Sequence, residues 1–116
     1  MKDYATFLSE PYCAGLAARF LRYAEIGTQS DRHIAAIPST PAQWILARLL
    51  VEELKGLGLA DVTLDEHCYL VARLPATRGR EEGPVIGLMA HMDTASDVPG
   101  SPVRPRVVRG LSLIHI

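Results

Sequence analysis

Val85-Ile86-Gly87-Leu88-Met89-Ala90 is an unbroken apolar run, and His91-Met92-Asp93-Thr94 follows it without a spacer. A continuous apolar run of this length has the pattern of a central strand buried on both faces. In open α/β sheets, ligands gather beyond the carboxyl ends of such strands, which is where His91 and Asp93 fall. On extended backbone, residues i and i+2 project to the same side, so the two side chains can converge on one point while Met92 turns back toward the core. A neutral imidazole is a good zinc ligand, and a nearby carboxylate can either orient the ring or bind the metal itself. Both arrangements need further ligands from elsewhere. The competing reading of a bare His-x-Asp is a solvated turn at a strand end, in which Asp93 caps local backbone N–H groups.

Upstream of this run the pattern is helical, then extended. The spacing of Leu16, Phe20, Tyr23 and Ala24 predicts an amphipathic helix over about 12–26 with those four residues on its buried face, ended by Gly27. Thr28-Gln29-Ser30-Asp31 reads as a polar loop that could line a cleft, with a plain surface loop as the simpler account. Thr40-Pro41-Ala42-Gln43 signals a second helix, over about 41–56: an N-cap hydroxyl, a proline at the first helical position and a capping-box glutamine. Its expected buried stripe is Ala47, Leu50, Val51, Leu54 and Leu57, with Arg48, Glu52, Glu53 and Lys55 facing water. Gly56 or Gly58 supplies the left-handed end. Residues 62–64 and 69–74 read as the strands of a hairpin turned by Asp65-Glu66-His67-Cys68. Pro75 to Gly83 is a charged loop, and the prolines at 99, 102 and 105 mark an extended segment. The expected fold class is α/β: two helices, a hairpin and a buried central strand.

The 116 residues are 48% hydrophobic and 22% charged, which fits a globular chain of one small domain. Twelve Lys and Arg against thirteen Asp and Glu give a net charge of -1. That balance removes the electrostatic case for nucleic acid as a partner. No stretch approaches the ~20 apolar residues of a membrane span. The opening residues lack the basic and apolar regions of a signal peptide. Cys13 and Cys68 are too few for a disulfide framework or a cysteine-rich zinc module, so both are expected as reduced thiols of a cytoplasmic protein.

Other polar residues carry weaker signals. His33 and His67 lie in polar loops and read as surface histidines, and Asp65-Glu66 is a common solvated arrangement beside a turn. Ser39-Thr40 is accounted for by the helix start, and Trp44 is expected to pack near it. No phosphate-binding glycine loop, nucleophile elbow or paired-cysteine metal site is present.

Several of these stretches together resemble a known family. Phe20-Leu21-Arg22-Tyr23, Ile26-Gly27-Thr28-Gln29-Ser30-Asp31, Ile37-Pro38-Ser39-Thr40 with Gln43-Trp44, the helix 46–57, the run 59–66 and Ile86 to Thr94 occur in an order and spacing similar to the M20 metallopeptidases. Within that family they are most like the tripeptide aminopeptidases. The resemblance runs from residue 16 to about 108, and Ala90-His91-Met92-Asp93-Thr94 is its most specific part. It implies a di-zinc aminopeptidase acting on tripeptides, with His91 as a ligand of one Zn²⁺ and Asp93 in a catalytic role, holding that imidazole. It also implies that the general base, the remaining ligands, the residues that recognise the substrate's amino terminus and a dimerising lid domain lie downstream of the motif. Cys68 departs from the family, which has a glycine at this turn. A side chain there strains a turn that needs positive φ.

The expectation is therefore that 1–110 is the N-terminal part of an M20-type catalytic domain, inactive alone. Residues 111–116 match nothing in the family and are expected to be a foreign tail, so His115 is not taken as a ligand. Two alternatives stand beside this reading. One is another M20 hydrolase, such as a dipeptidase, a deacylase or a carboxypeptidase. The other is a non-catalytic interaction domain with a chance His-x-Asp.

Overall fold

The computed structural model describes residues 11–100 and 103–107. Met1–Glu10 and the expected tail 111–116, with His115, lie outside the described residues. The element order is helix α1 (Pro11–Ala24), helix α2 (Ala42–Gly56), strand β1 (Ala60–Leu64) and strand β2 (Leu70–Arg73).

Helix α2 forms where its sequence signals place it, because Pro41 has helical dihedrals (φ -62°, ψ -26°) and cannot continue a helix backward. The start differs from the expected capping box in one respect. The Thr40 hydroxyl donates to the carbonyl of Gln29 at 2.8 Å instead of capping an N–H. Gln43, itself buried, reaches back with Nε2 to Thr40 Oγ1 at 3.1 Å and to Ser39 Oγ at 3.3 Å. The helix start is thus tied to the preceding loop rather than to its own amides.

The small core sits under α2. Leu46 and Ala47 are buried there, Leu50, Val51 and Leu54 are half-buried, and Leu57 is exposed, contrary to the expected stripe. Leu46, which lies outside the expected stripe, is among the most buried residues of the helix. Arg48 places its guanidinium 5.9 Å from the centre of the Trp44 ring, so Trp44 packs near the helix start as expected.

Helix α1 departs further from expectation. Cys13 is its one buried residue, while Leu16 and Phe20 of the expected face are exposed. No described element covers that face. What holds α1 is Glu53, expected to face water and found instead between the helices. Its carboxylate accepts hydrogen bonds from Arg22 and from the Tyr23 hydroxyl, with Arg19 Nε 3.8 Å away. Burial, and then the Glu53 hydrogen bond and charge, push the Tyr23 hydroxyl above its ordinary pKa.

Strands β1 and β2 pair antiparallel, Thr63 opposite Val71 and Leu64 opposite Leu70, with an irregularity between Ala60 and Thr63. There Asp61 takes φ 52° and its carboxylate pairs with Arg73 at 2.6 Å. The alternation of half-buried and exposed residues puts Ala60, Val62, Leu64, Leu70 and Ala72 on one face. In the turn, Asp65 Oδ1 accepts from the amides of His67 (3.0 Å) and Tyr69 (2.8 Å). Cys68 closes it at φ 66°, the left-handed dihedral for which the family resemblance placed a glycine at this turn. Its thiol is buried, and burial raises its pKa above the usual value.

The expected buried central strand is not formed. Residues 85–90 carry no regular structure, and Val85, Leu88 and Met89 are 98%, 96% and 100% exposed. The reason is physical: a strand exists through its hydrogen-bonded neighbours. Among the described residues the sheet holds β1 and β2 alone, and neither lies beside this run. No helix among the described residues is long and apolar enough to cross a membrane.

Candidate functional site

Order returns directly after the exposed run. Gln29 and Thr94 form a parallel bridge, in which the Thr94 amide donates to the Thr28 carbonyl (3.2 Å) and the Ser30 amide donates to the Thr94 carbonyl (3.0 Å). The Ser30 hydroxyl reaches the same carbonyl at 3.1 Å. Thr28 is buried, so the pairing is shielded from water on that side.

His91 and Asp93 stand immediately before the bridge. His91 Nδ1 is 2.8 Å from the Asp93 carbonyl oxygen and 3.1 Å from its carboxylate Oδ1. Both partners are acceptors, so Nδ1 is the donor of this contact and Nε2 is the ring nitrogen left without one of these partners. The imidazole is 83% exposed, and the Asp93 carboxylate 40%. This is the geometry in which a metal-binding Nε2 is held from behind by an oxygen acceptor on Nδ1. The donor set stops there. Among the described residues no three His, Cys, Asp or Glu side chains come together in a group that could hold a metal ion. His91 thus fits one position of a zinc site, which requires about four donors.

The remaining candidates fall as follows. His67 lies in the hairpin turn, exposed, beside Glu66 and tilted against Tyr69. His33 is exposed, and its amide donates to Asp31 Oδ1 at 2.9 Å. Residues 29–31 of the polar loop border an open hollow and do not enclose a cleft, in keeping with the simpler surface-loop expectation. The hollow has a volume of about 520 Å³ and is completed by Arg32, His33, Thr40, Ser96 and Gly27. The sequence analysis weighed Gln29 only within the polar run 28–31 and did not single out Gly100. The polar run 28–31 was the available signal for the first, and nothing local marked the second.

Comparison with known proteins finds named relatives. No family model matches the chain, but its curated relatives are peptidases. They carry the name peptidase T. The chain is 50% identical over 93 residues to peptidase T of Geobacillus kaustophilus and to that of Vibrio parahaemolyticus, in each case covering 80% of this chain. It is 48% identical over 94 residues to that of Alkaliphilus oremlandii. The chain spans about a fifth of the length of these relatives, 22% or 23% of each. The resemblance read from the motifs is therefore a resemblance to peptidase T, over four-fifths of the chain.

Proposed function

We propose that this chain is part of a di-zinc aminopeptidase that removes the N-terminal residue from tripeptides, and that it supplies one ligand and one catalytic carboxylate to the active site. The observation that carries this reading is the His91–Asp93 pair in a chain half identical to peptidase T over 93 residues. An imidazole with Nδ1–H donated to oxygen, and Nε2 exposed, is prepared to bind zinc. In this reading 1–110 is a portion of the catalytic domain, and the protein is cytoplasmic. Dimerisation belongs to a lid domain outside this chain.

The chain's own residues orient and hold. Asp93 accepts the Nδ1 hydrogen bond through its carbonyl and its carboxylate, which fixes the orientation of the ring. The metal pair, when bound, supplies Lewis acidity toward the scissile carbonyl and a water acidic enough to act as nucleophile near neutral pH. The general base and the other donors are contributed by the rest of the protein. The apolar run 85–90 accordingly takes its place as a strand when neighbours from the complete sheet pair with it. Its present exposure is that of an unpaired strand.

The test is a comparison of the 116-residue chain with a full-length protein containing it. Zinc-dependent release of the N-terminal residue from tripeptides is expected of the full-length protein and not of the chain. His91→Ala in the full-length protein is expected to abolish activity and to lower zinc content. Unchanged zinc content and activity in that variant would overturn the reading in favour of a non-catalytic role for the pair. A substrate profile favouring dipeptides or acylamino acids would move the protein to another branch of the M20 hydrolases.

A further inference from the structure

The Asp93–Thr94 peptide group is used from both sides. Its carbonyl accepts from His91 Nδ1, and its amide donates to the Thr28 carbonyl. A peptide unit is planar, so the direction of its N–H fixes the direction of its C=O. The backbone at Thr28 therefore sets the orientation of the acceptor that holds the His91 ring. That coupling survives only while the segment after Asp93 stays seated on residues 28–30.

Gln29 does the seating. Its side-chain amide donates from Nε2 to the Ser96 carbonyl at 2.9 Å and accepts at Oε1 from the Gly100 amide at 3.1 Å. One carbonyl and one N–H as partners fix which end of the amide is which. The Gln29 carbonyl in turn accepts the Thr40 hydroxyl, so the residue is anchored to the start of α2. A Cβ at Gly100 would lie 3.0 Å from Gln29 Cβ and 3.1 Å from Thr94 Oγ1, which shows how closely the loop is drawn down.

We infer that Gln29 is a positioning residue for His91: by clamping Ser96 and Gly100 it holds Thr94 against Thr28, and through the shared peptide group it fixes the imidazole with Nε2 free. The functional meaning of this clamp rests on the reading of His91 as a metal ligand. The clamp itself does not, and it can be tested without metal or substrate.

The experiment is nitrogen-detected NMR of the histidine rings in the metal-free 116-residue chain, wild type against Gln29→Ala. His33 and His67 serve as internal controls. The wild-type chain is expected to show His91 as the Nδ1–H tautomer. Gln29→Ala is expected to convert it to the averaged tautomer mixture of a free imidazole and to remove exchange protection from the Ser30 and Thr94 amides. Helical circular dichroism and the control histidines stay unchanged. An unchanged His91 signal in that variant overturns the inference. If Gln29→Ala does not fold, Gln29→Glu decides. It keeps the acceptor for Gly100 and loses the donor to Ser96, so a partial tautomer shift supports the clamp and none refutes it. Failure of the aminopeptidase reading would be seen separately, in the full-length activity assay.

Discussion

The His91 imidazole and the Asp93 main chain form a closed unit: Nδ1 lies 2.8 Å from the Asp93 carbonyl oxygen and 3.1 Å from its carboxylate. Two acceptors from one residue hold one ring, and the nearer of them is backbone. A side-chain substitution at Asp93 therefore removes the carboxylate while leaving the stronger geometric restraint in place.

From this follows a graded expectation for Asp93→Ala. In the full-length protein it lowers zinc affinity at the His91 site by about 10–100-fold, the range found when partners of metal-bound histidines are removed. His91→Ala removes the proposed ligand outright and is expected to have the larger effect. Zinc titration against a competing chelator checks both, and equal effects of the two substitutions would contradict the division of roles.

Gly100→Ala probes the close approach of the loop to Gln29. Backbone and neighbouring side chains must give way to a Cβ at 3.0 Å from Gln29 Cβ, at a cost of about 1–3 kcal/mol. The expected result is faster amide exchange at Ser30 and Thr94, with the β1–β2 hairpin amides unchanged.

Cys68 sits at φ 66° with its thiol buried, so two effects oppose one another when it is replaced. Comparing two variants that both lose the sulfur separates them. Cys68→Gly is expected to be more stable than Cys68→Ala by about 1 kcal/mol, the cost of a Cβ in left-handed backbone. Chemical denaturation of both variants measures the difference.

The Tyr23–Glu53 contact predicts a loss of stability in alkali. The folded state holds the Tyr23 proton more tightly than the unfolded chain does. Its contribution is therefore complete below the ordinary tyrosine value and is lost as pH rises through the higher folded value. Tyr23→Phe is expected to cost about 1 kcal/mol at neutral pH, the usual worth of one hydrogen bond. It should also flatten the alkaline limb of the stability profile. Denaturation midpoints at neutral and strongly alkaline pH check both points.

Much of the local structure was legible. Proline 41 after Thr40 marked the start of α2 because φ near -62° is built into the ring, and the Asp65 turn followed from a short acceptor two and four residues from the amides it bonds. His91 and Asp93 were legible as a pair because the i, i+2 relation is local. Glu53 was not, since helical periodicity assigned it to water and α1 brought Arg19, Arg22 and Tyr23 to it. The buried status of residues 85–90 failed for the same kind of reason: hydrophobicity states a demand for burial, and only neighbours can meet it.

The sequence by itself determined the helices, the hairpin and the His91–Asp93 pair of the proposed site. All of these depend on dihedral preferences and hydrogen bonds among residues a few positions apart. The tertiary structure alone decided that Gln29 bonds Ser96 and Gly100, that Thr28 and Ser30 pair with Thr94, and that 85–90 stands exposed. Those outcomes join or fail to join parts of the chain separated by 64 to 71 residues. No local preference encodes such a pairing; it is fixed by which backbone donors and acceptors the folded chain brings within reach.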